Sequence, residues 1–273
     1  MTRSGGSSVL MLILALLGAR ARADGDYWSP TDDRVRLSIG VMRVAPSTTL
    51  RVDSAAGLAG TELDGESELG LDTADLEPKF QVAVRAGVRN RLLFDYFGLD
   101  RNDAKTLTQG PLYFGNVVLE PGYPVQTESS LRIFGLAYAY SFWHSEKLEL
   151  AGTFGVHVTE ISASVRVQTA STNIYDAENV AGPFPTLGLD ATWVASKRFY
   201  FEARGQYLNL TIDHIDGSLG LFEANALYRF RPNVSFAVGF NAVRTHLDSR
   251  QSSDTGLFSF NNDGPQVFVR VAF

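Results

Sequence analysis

The chain has no cysteine among its 273 residues, which excludes both disulfide staples and thiolate chemistry. Beyond its opening segment no uninterrupted apolar run approaches the ~18 residues that a membrane-crossing helix requires, so any membrane span must be built from strands. Basic residues are in deficit, 24 Lys+Arg against 30 Asp+Glu for a formal net charge of −6, and an acidic chain is a poor partner for nucleic acid. No Pro-rich linker, composition break or sequence repeat divides the chain, and a length of this order suits one domain. Nor is there a phosphate-cradling glycine loop, a zinc-ligand spacing or a nucleotide fingerprint, so no cofactor and no metal is expected.

What is present begins with a leader. Arg3 precedes an apolar run from Val9 to Leu17, and small residues follow at Ala19, Ala21 and Ala23, the charged start, short greasy core and A-x-A exit of a signal peptide. Cleavage is expected after Ala23, with Ala21 as the near alternative, leaving 24–273 as the mature domain. Arg3, Arg20 and Arg22 depart with the leader, so the mature chain is more acidic still.

Hydrophobic alternation then recurs near Arg34 to Val44, Lys79 to Arg89, Arg91 to Arg101, Leu131 to Trp143, Lys147 to Val158, Thr186 to Ala195, Phe199 to Tyr207, Phe222 to Arg231, Val234 to Ala242 and Gln266 to Phe273. Period-two alternation marks strands with one apolar face. The connections alternate between long (Ala45 to Pro78, Asn102 to Ser130, Thr159 to Pro185, Val243 to Pro265) and short (around Asn90, Ser145, Lys197 and Pro232), except for a short one at Asp216 and Gly217. Long outer loops with tight periplasmic turns give that rhythm. The expectation is an all-β fold, a transmembrane antiparallel up-and-down β-barrel of about ten strands, with eight or twelve as alternatives and both termini in the periplasm.

Parity fixes which side chains share a face, and opposite charges favour particular registers. Around Asn90, pairing Val84 with Tyr96 and Ala86 with Phe94 sets Arg85 opposite Asp95; around Lys197, pairing Trp193 with Phe201 sets Asp190 opposite Arg204. Around Ser145, Tyr138 faces Gly152. The expected lumen holds Arg36, Lys79, Arg85, Arg89, Asp95, Arg132, Glu149, His157, Asp190, Glu202, Arg204, Glu223, Asn241 and Arg270, and in a barrel of this size such a mixture should pair off into a plug. The outward aromatics Tyr138, Tyr140, Phe142, Trp193, Phe199, Phe201, Tyr228, Phe230, Phe236 and Phe273 cluster toward the short turns, where an interfacial girdle belongs.

The last strand puts Val267, Val269, Val271 and terminal Phe273 on one face. This resembles the carboxy-terminal assembly signal of outer-membrane proteins, and the chain as a whole resembles the small outer-membrane barrels of the OmpA and OmpW type. The resemblance implies a bacterial outer-membrane location, lipid and lipopolysaccharide as surroundings, the barrel-assembly machinery as a partner during insertion, and a monomer; it identifies a class without an activity.

Three groups invite a chemical reading. Asp213, His214, His246 and Asp248 lie near the outer ends of two strands, and an Asp–His group at that rim resembles omptin proteases, although adjacent Asp213 and His214 face opposite sides. His157 and Thr159 share a face, a pairing similar to outer-membrane lipid A deacylases, without an orienting acid in view. The first outer loop carries Asp53, Glu62, Asp64, Glu66, Glu68, Asp72, Asp75 and Glu77, whose spacing fits no calcium loop. The expected role is therefore structural, surface-interaction or small-solute, not enzymatic; an omptin-like or lipid-modifying hydrolase and a narrow solute channel are the alternatives.

Overall fold

The computed structural model describes residues 29–54, 56, 58–71, 75–108, 110–122, 124–168, 173–212, 215–251 and 254–273. Fourteen strands follow in chain order: β1 Val35–Val44, β2 Pro46–Val52, β3 Leu63–Asp64, β4 Asp75–Ala86, β5 Asn90–Thr106, β6 Leu112–Phe114, β7 Val117–Leu119, β8 Pro124–His144, β9 Leu148–Gln168, β10 Asn173–Val194, β11 Phe199–Ile212, β12 Ile215–Arg231, β13 Val234–Gln251 and β14 Asp254–Ala272. Each long strand pairs antiparallel with its successor and β1 pairs with β14, closing a ten-strand barrel. Strands β1 and β2 are one strand of the wall: Met42 lies opposite Gln266 and Pro46 opposite Asn262 without a change of register. Between them the Ala45 amide donates to the Asn262 side chain at 2.8 Å, so the break is local.

Alternation decides the two faces of the wall. Leu92, Phe94, Leu136, Tyr138, Phe236 and Val238 are exposed, while Arg91, Leu93, Ala137, Ala139, Ser235 and Ala237 beside them are buried. Exposed aromatics meet across strands near the short turns, Trp193 on Phe201 at 5.4 Å, Phe199 on Tyr228 at 5.0 Å and Phe230 on Phe236 at 5.1 Å. Every aromatic expected in the girdle stands on the exposed or half-exposed outer face.

The strands run further than their apolar alternation. β9 and β10 have 21 and 22 residues, about twice what a tilted strand needs to cross a bilayer. Most of what reads as long outer loop at Thr159 to Pro185 and Val243 to Pro265 is wall, continued by the β9–β10 and β13–β14 pairings. The chemistry of the two faces inverts in this extension. Asp100, Arg132, Arg244 and His246 point outward, while Leu99, Leu131, Ile133, Val243 and Leu247 turn inward and are buried. A wall surrounded by water puts its polar side out, so a search for lipid-facing apolar alternation loses the strand there.

The first two long-loop connections fill the mouth. Leu63 and Leu69 from the first, and Leu107, Leu112 and Phe114 from the second, join Met42, Leu50, Phe97, Ile133, Phe258 and Phe260 in one apolar cluster. The expectation of a polar lumen is thus corrected: the short-turn half is polar, whereas the outer half holds this apolar cluster with buried polar residues such as Arg101 and Thr48 beside it.

Candidate functional site

The polar half of the lumen is a chain of charges laid from wall to wall. Arg85 on β4 donates to Glu149 on β9 through both terminal nitrogens, at 2.9 and 2.8 Å. Arg91 on β5 stands 3.6 Å from the same carboxylate and 2.9 Å from Asp190 on β10. Asp190 accepts from Arg204 on β11 at 3.1 Å, and Arg204 reaches Asp95 on β5 at 3.3 Å. Ser141 donates its hydroxyl to Glu149 as well. Glu149 is fully buried; a carboxylate without water must have partners of this kind.

Two further clusters complete the filling. Glu202 bridges Arg36 at 3.0 Å and Arg270 at 2.6 Å. Glu223 takes Lys79 at 2.5 Å, Gln81 at 3.0 Å and Asn225 at 2.7 Å, while Gln266 links Lys79 to Asn225. Above them a small cavity of about 70 Å³ separates the charged layer from the apolar cluster, with Asp95, His157, Arg204 and Asn241 below and Met42, Phe97 and Ile133 above.

Of the expected pairs, Asp190 and Arg204 meet in the register read from the Lys197 turn. Arg85 and Asp95 do not. The structure places Gln81 opposite Asp95 and Arg91 opposite Arg85, because the hairpin turns at Gly87, whose φ is 72°, rather than at Asn90. The displacement is an even number of residues, so Arg85 keeps its inward face while its partner changes. At Ser145 a bulge between Ser141 and Trp143 moves Tyr140, not Tyr138, across from Gly152. Arg89 sits exposed in its turn, and Arg132 points outward to Asp100 at 3.4 Å; both were expected inside. Arg91, which sequence reasoning passed over, shares the face of Leu93 and Asp95 by simple parity.

The rim group is dispersed. His246 and Asp248 stand on the outward row that continues from Phe236, Val238 and Phe240, His246 exposed, and Asp248 is 4.0 Å from Arg51. Asp213 and His214 lie outside the described residues. His157 is buried and shares a hydrogen bond of 3.2 Å with Thr186 through Nδ1; Thr159, its expected companion, has a buried hydroxyl without a hydrogen-bond partner among the described residues. The opposite residue, Gly135, makes room for the ring, since a Cβ there would stand 2.7 Å from both Cδ2 and Nε2 of His157.

The acids of the first outer loop build the loop itself. Glu66 accepts from Arg101 at 2.6 Å and from the Thr48 amide at 2.8 Å. Asp64 accepts the Ser67 amide at 2.6 Å, which holds its carboxyl below the usual range, and Glu68 accepts the Asp64 amide at 2.7 Å. Asp72 lies outside the described residues. On β14, Val267 is exposed and Val269 half-exposed, whereas Val271 is covered between Leu37 and Val234. Phe273 is half-buried and is held by its backbone to Arg34 and Val35.

No family model and no curated protein matches the chain. Among solved structures it is similar to the outer membrane protease OmpT of Escherichia coli, at 13% identity over 89% of this chain and 98% of that one, with a TM-score of 0.58. Weaker likenesses extend to the transport unit of the autotransporter AIDA-I of Escherichia coli, at 10% identity, 98% of each chain and a TM-score of 0.41, and to Ail, the attachment invasion locus protein of Yersinia pestis, at 8% identity, 86% of this chain, 98% of that one and 0.31. The first bears on the fold and, at that identity, on nothing else. With the closed wall and its exposed aromatic rows, it establishes the architecture of this chain as that of an outer-membrane β-barrel.

Proposed function

We propose that the protein resides in a bacterial outer membrane as a monomeric, sealed barrel. The leader is removed after Ala23, both termini lie in the periplasm and the long strands project from the cell. Its role is structural or surface-interacting rather than the free passage of solutes, and not enzymatic. The observation that carries this reading is the fully buried Glu149, clasped by Arg85 and flanked by Arg91 at the short-turn end of the lumen. A wall-to-wall network with an apolar cluster above it supports a sealed lumen, and a barrel of this strand number has little interior to spare. The exposed apolar rows support lipid as the surrounding, with lipopolysaccharide around the projecting wall.

Less supports a rim hydrolase, since His246 and Asp248 face away from the barrel mouth. Val267, Val269, Val271 and Phe273 remain the proposed signal to the barrel-assembly machinery. Fractionation of cells tests the whole reading. The protein should sediment with outer membranes and be cut by external protease within 45–78 but not at Asn90. Phe273→Ser should lower the inserted amount while Ala272→Ser leaves it near wild type. Recovery as a soluble periplasmic protein would sink the proposal.

A further inference from the structure

The segment before β1 closes the short-turn end of the barrel. Ser29 to Asp32 form a turn, with the Asp32 amide donating to the Ser29 carbonyl at 2.9 Å. The Ser29 hydroxyl then donates to the carbonyl of Glu146 in the β8–β9 turn at 2.7 Å, and Asp32 lies 3.4 Å from His144 at the end of β8. On the return, Arg36 donates to the Pro30 carbonyl and Arg85 to the Asp33 carbonyl, while Arg34 is bonded through its amide to Phe273. The six residues are thus tied to β4, to the β8–β9 turn and to the end of β14, and they cross the short-turn end to do so. Within the strap Thr31 is fully buried and Asp33 nearly so.

Asp33 is the one carboxylate this strap carries into the interior. Arg36 from β1 and Arg229 from β12 face it at 3.7 and 3.6 Å, beyond hydrogen-bond reach, and Oδ2 has no hydrogen-bond partner among the described residues. Arg270 from β14 pulls in the same direction and Glu202 from β11 opposes it. Arg85 and His144 engage the strap at the Asp33 carbonyl and at Asp32 rather than at this carboxylate. A buried carboxylate oxygen with cations near but no donor in contact is incompletely repaid for its lost hydration.

We infer that 29–34 is a proton-operated strap: one proton taken up by Asp33 seats it more firmly across the short-turn end of the barrel, so that end closes more tightly in acid. Burial pushes the Asp33 carboxyl up from 3.8 to about 6 despite the arginines. The direction follows from that: docking favours the protonated acid, so the strap gains as pH falls through about 6 toward the ordinary carboxylate value, and is weakest above both. The strap and its sign do not depend on which compartment this end faces; the proposed orientation places it in the periplasm.

Because the chain has no cysteine, Thr31→Cys supplies a single buried thiol, whose maleimide labelling in the full-length refolded protein can be expressed at each pH relative to the same chain in denaturant. Protection should rise about fourfold from about pH 7.5 to about pH 5.5. In the Asp33→Asn background it should be high and independent of pH. Hydrogen exchange at the Asp32 amide of the unsubstituted chain, scaled to its intrinsic rate, provides a second reading with the same sign and removes dependence on the Thr31 variant. Protection that is flat or falls on acidification, or a pH response that survives Asp33→Asn, would overturn the inference.

Discussion

Arg85 and Glu149, 64 residues apart in the chain, meet inside the barrel through two parallel hydrogen bonds of 2.9 and 2.8 Å. Planar two-point contact of this kind fixes both side chains as well as attracting them. Removing either partner strands the other without water. Arg85→Ala or Glu149→Ala should each cost about 3–5 kcal/mol, read as a fall in the urea midpoint of the refolded barrel. The double variant Arg85→Met, Glu149→Leu should cost less than the sum, giving a clear interaction energy in the cycle. Additive losses would mean that the two do not act as a unit.

Gly135 lies between Asp95 and His157 in the wall, and its missing side chain is where the His157 ring sits. Gly135→Ala should force the ring aside and destabilise the barrel by about 1–3 kcal/mol. His157→Ala in the same chain should recover most of that loss. Thermal unfolding of the two single variants and the double variant checks it, and no recovery would place the strain elsewhere.

The mouth was the least legible part of the sequence, and the physical reason is visible in particular residues. Within the lipid band, outward Phe94, Tyr138, Trp193 and Phe236 alternate with small or polar inward neighbours, so strand existence, facing and the barrel class could all be read. Above that band Asp100 and Arg132 are outside and Leu99 and Ile133 inside, the pattern of a water-soluble wall, and the same rule reported loop. Register was legible where opposite charges singled out one even shift, as at Asp190 and Arg204. It failed at Arg85, where Gly87 rather than Asn90 makes the turn, since nothing in the alternation distinguishes partners two or four residues apart. The acidic loop could not be resolved into roles because Glu66 finds Arg101 and Thr48 only after the loop folds into the mouth.

Glu66 therefore gives the most direct handle on that mouth. It is bonded to Arg101 at 2.6 Å beneath Leu63 and Leu69, both fully buried. Glu66→Ala should leave Arg101 buried without its acid and loosen the first outer loop, so that external protease cuts within 45–78 severalfold faster while the β8–β9 wall stays intact. Glu62→Ala, a neighbour on the exposed side of the loop, should leave the cutting rate unchanged. Equal effects from the two would remove Glu66 from the role of latch.

Single-protein recordings in planar bilayers test the central claim that the lumen is sealed. The full-length refolded protein, inserted at neutral pH in high salt, should show no steady open level, because Glu149, Arg85 and Arg91 join strands across the lumen and an apolar cluster closes its other half. A steady, ohmic conductance that scales with salt and changes on Arg85→Ala would contradict it.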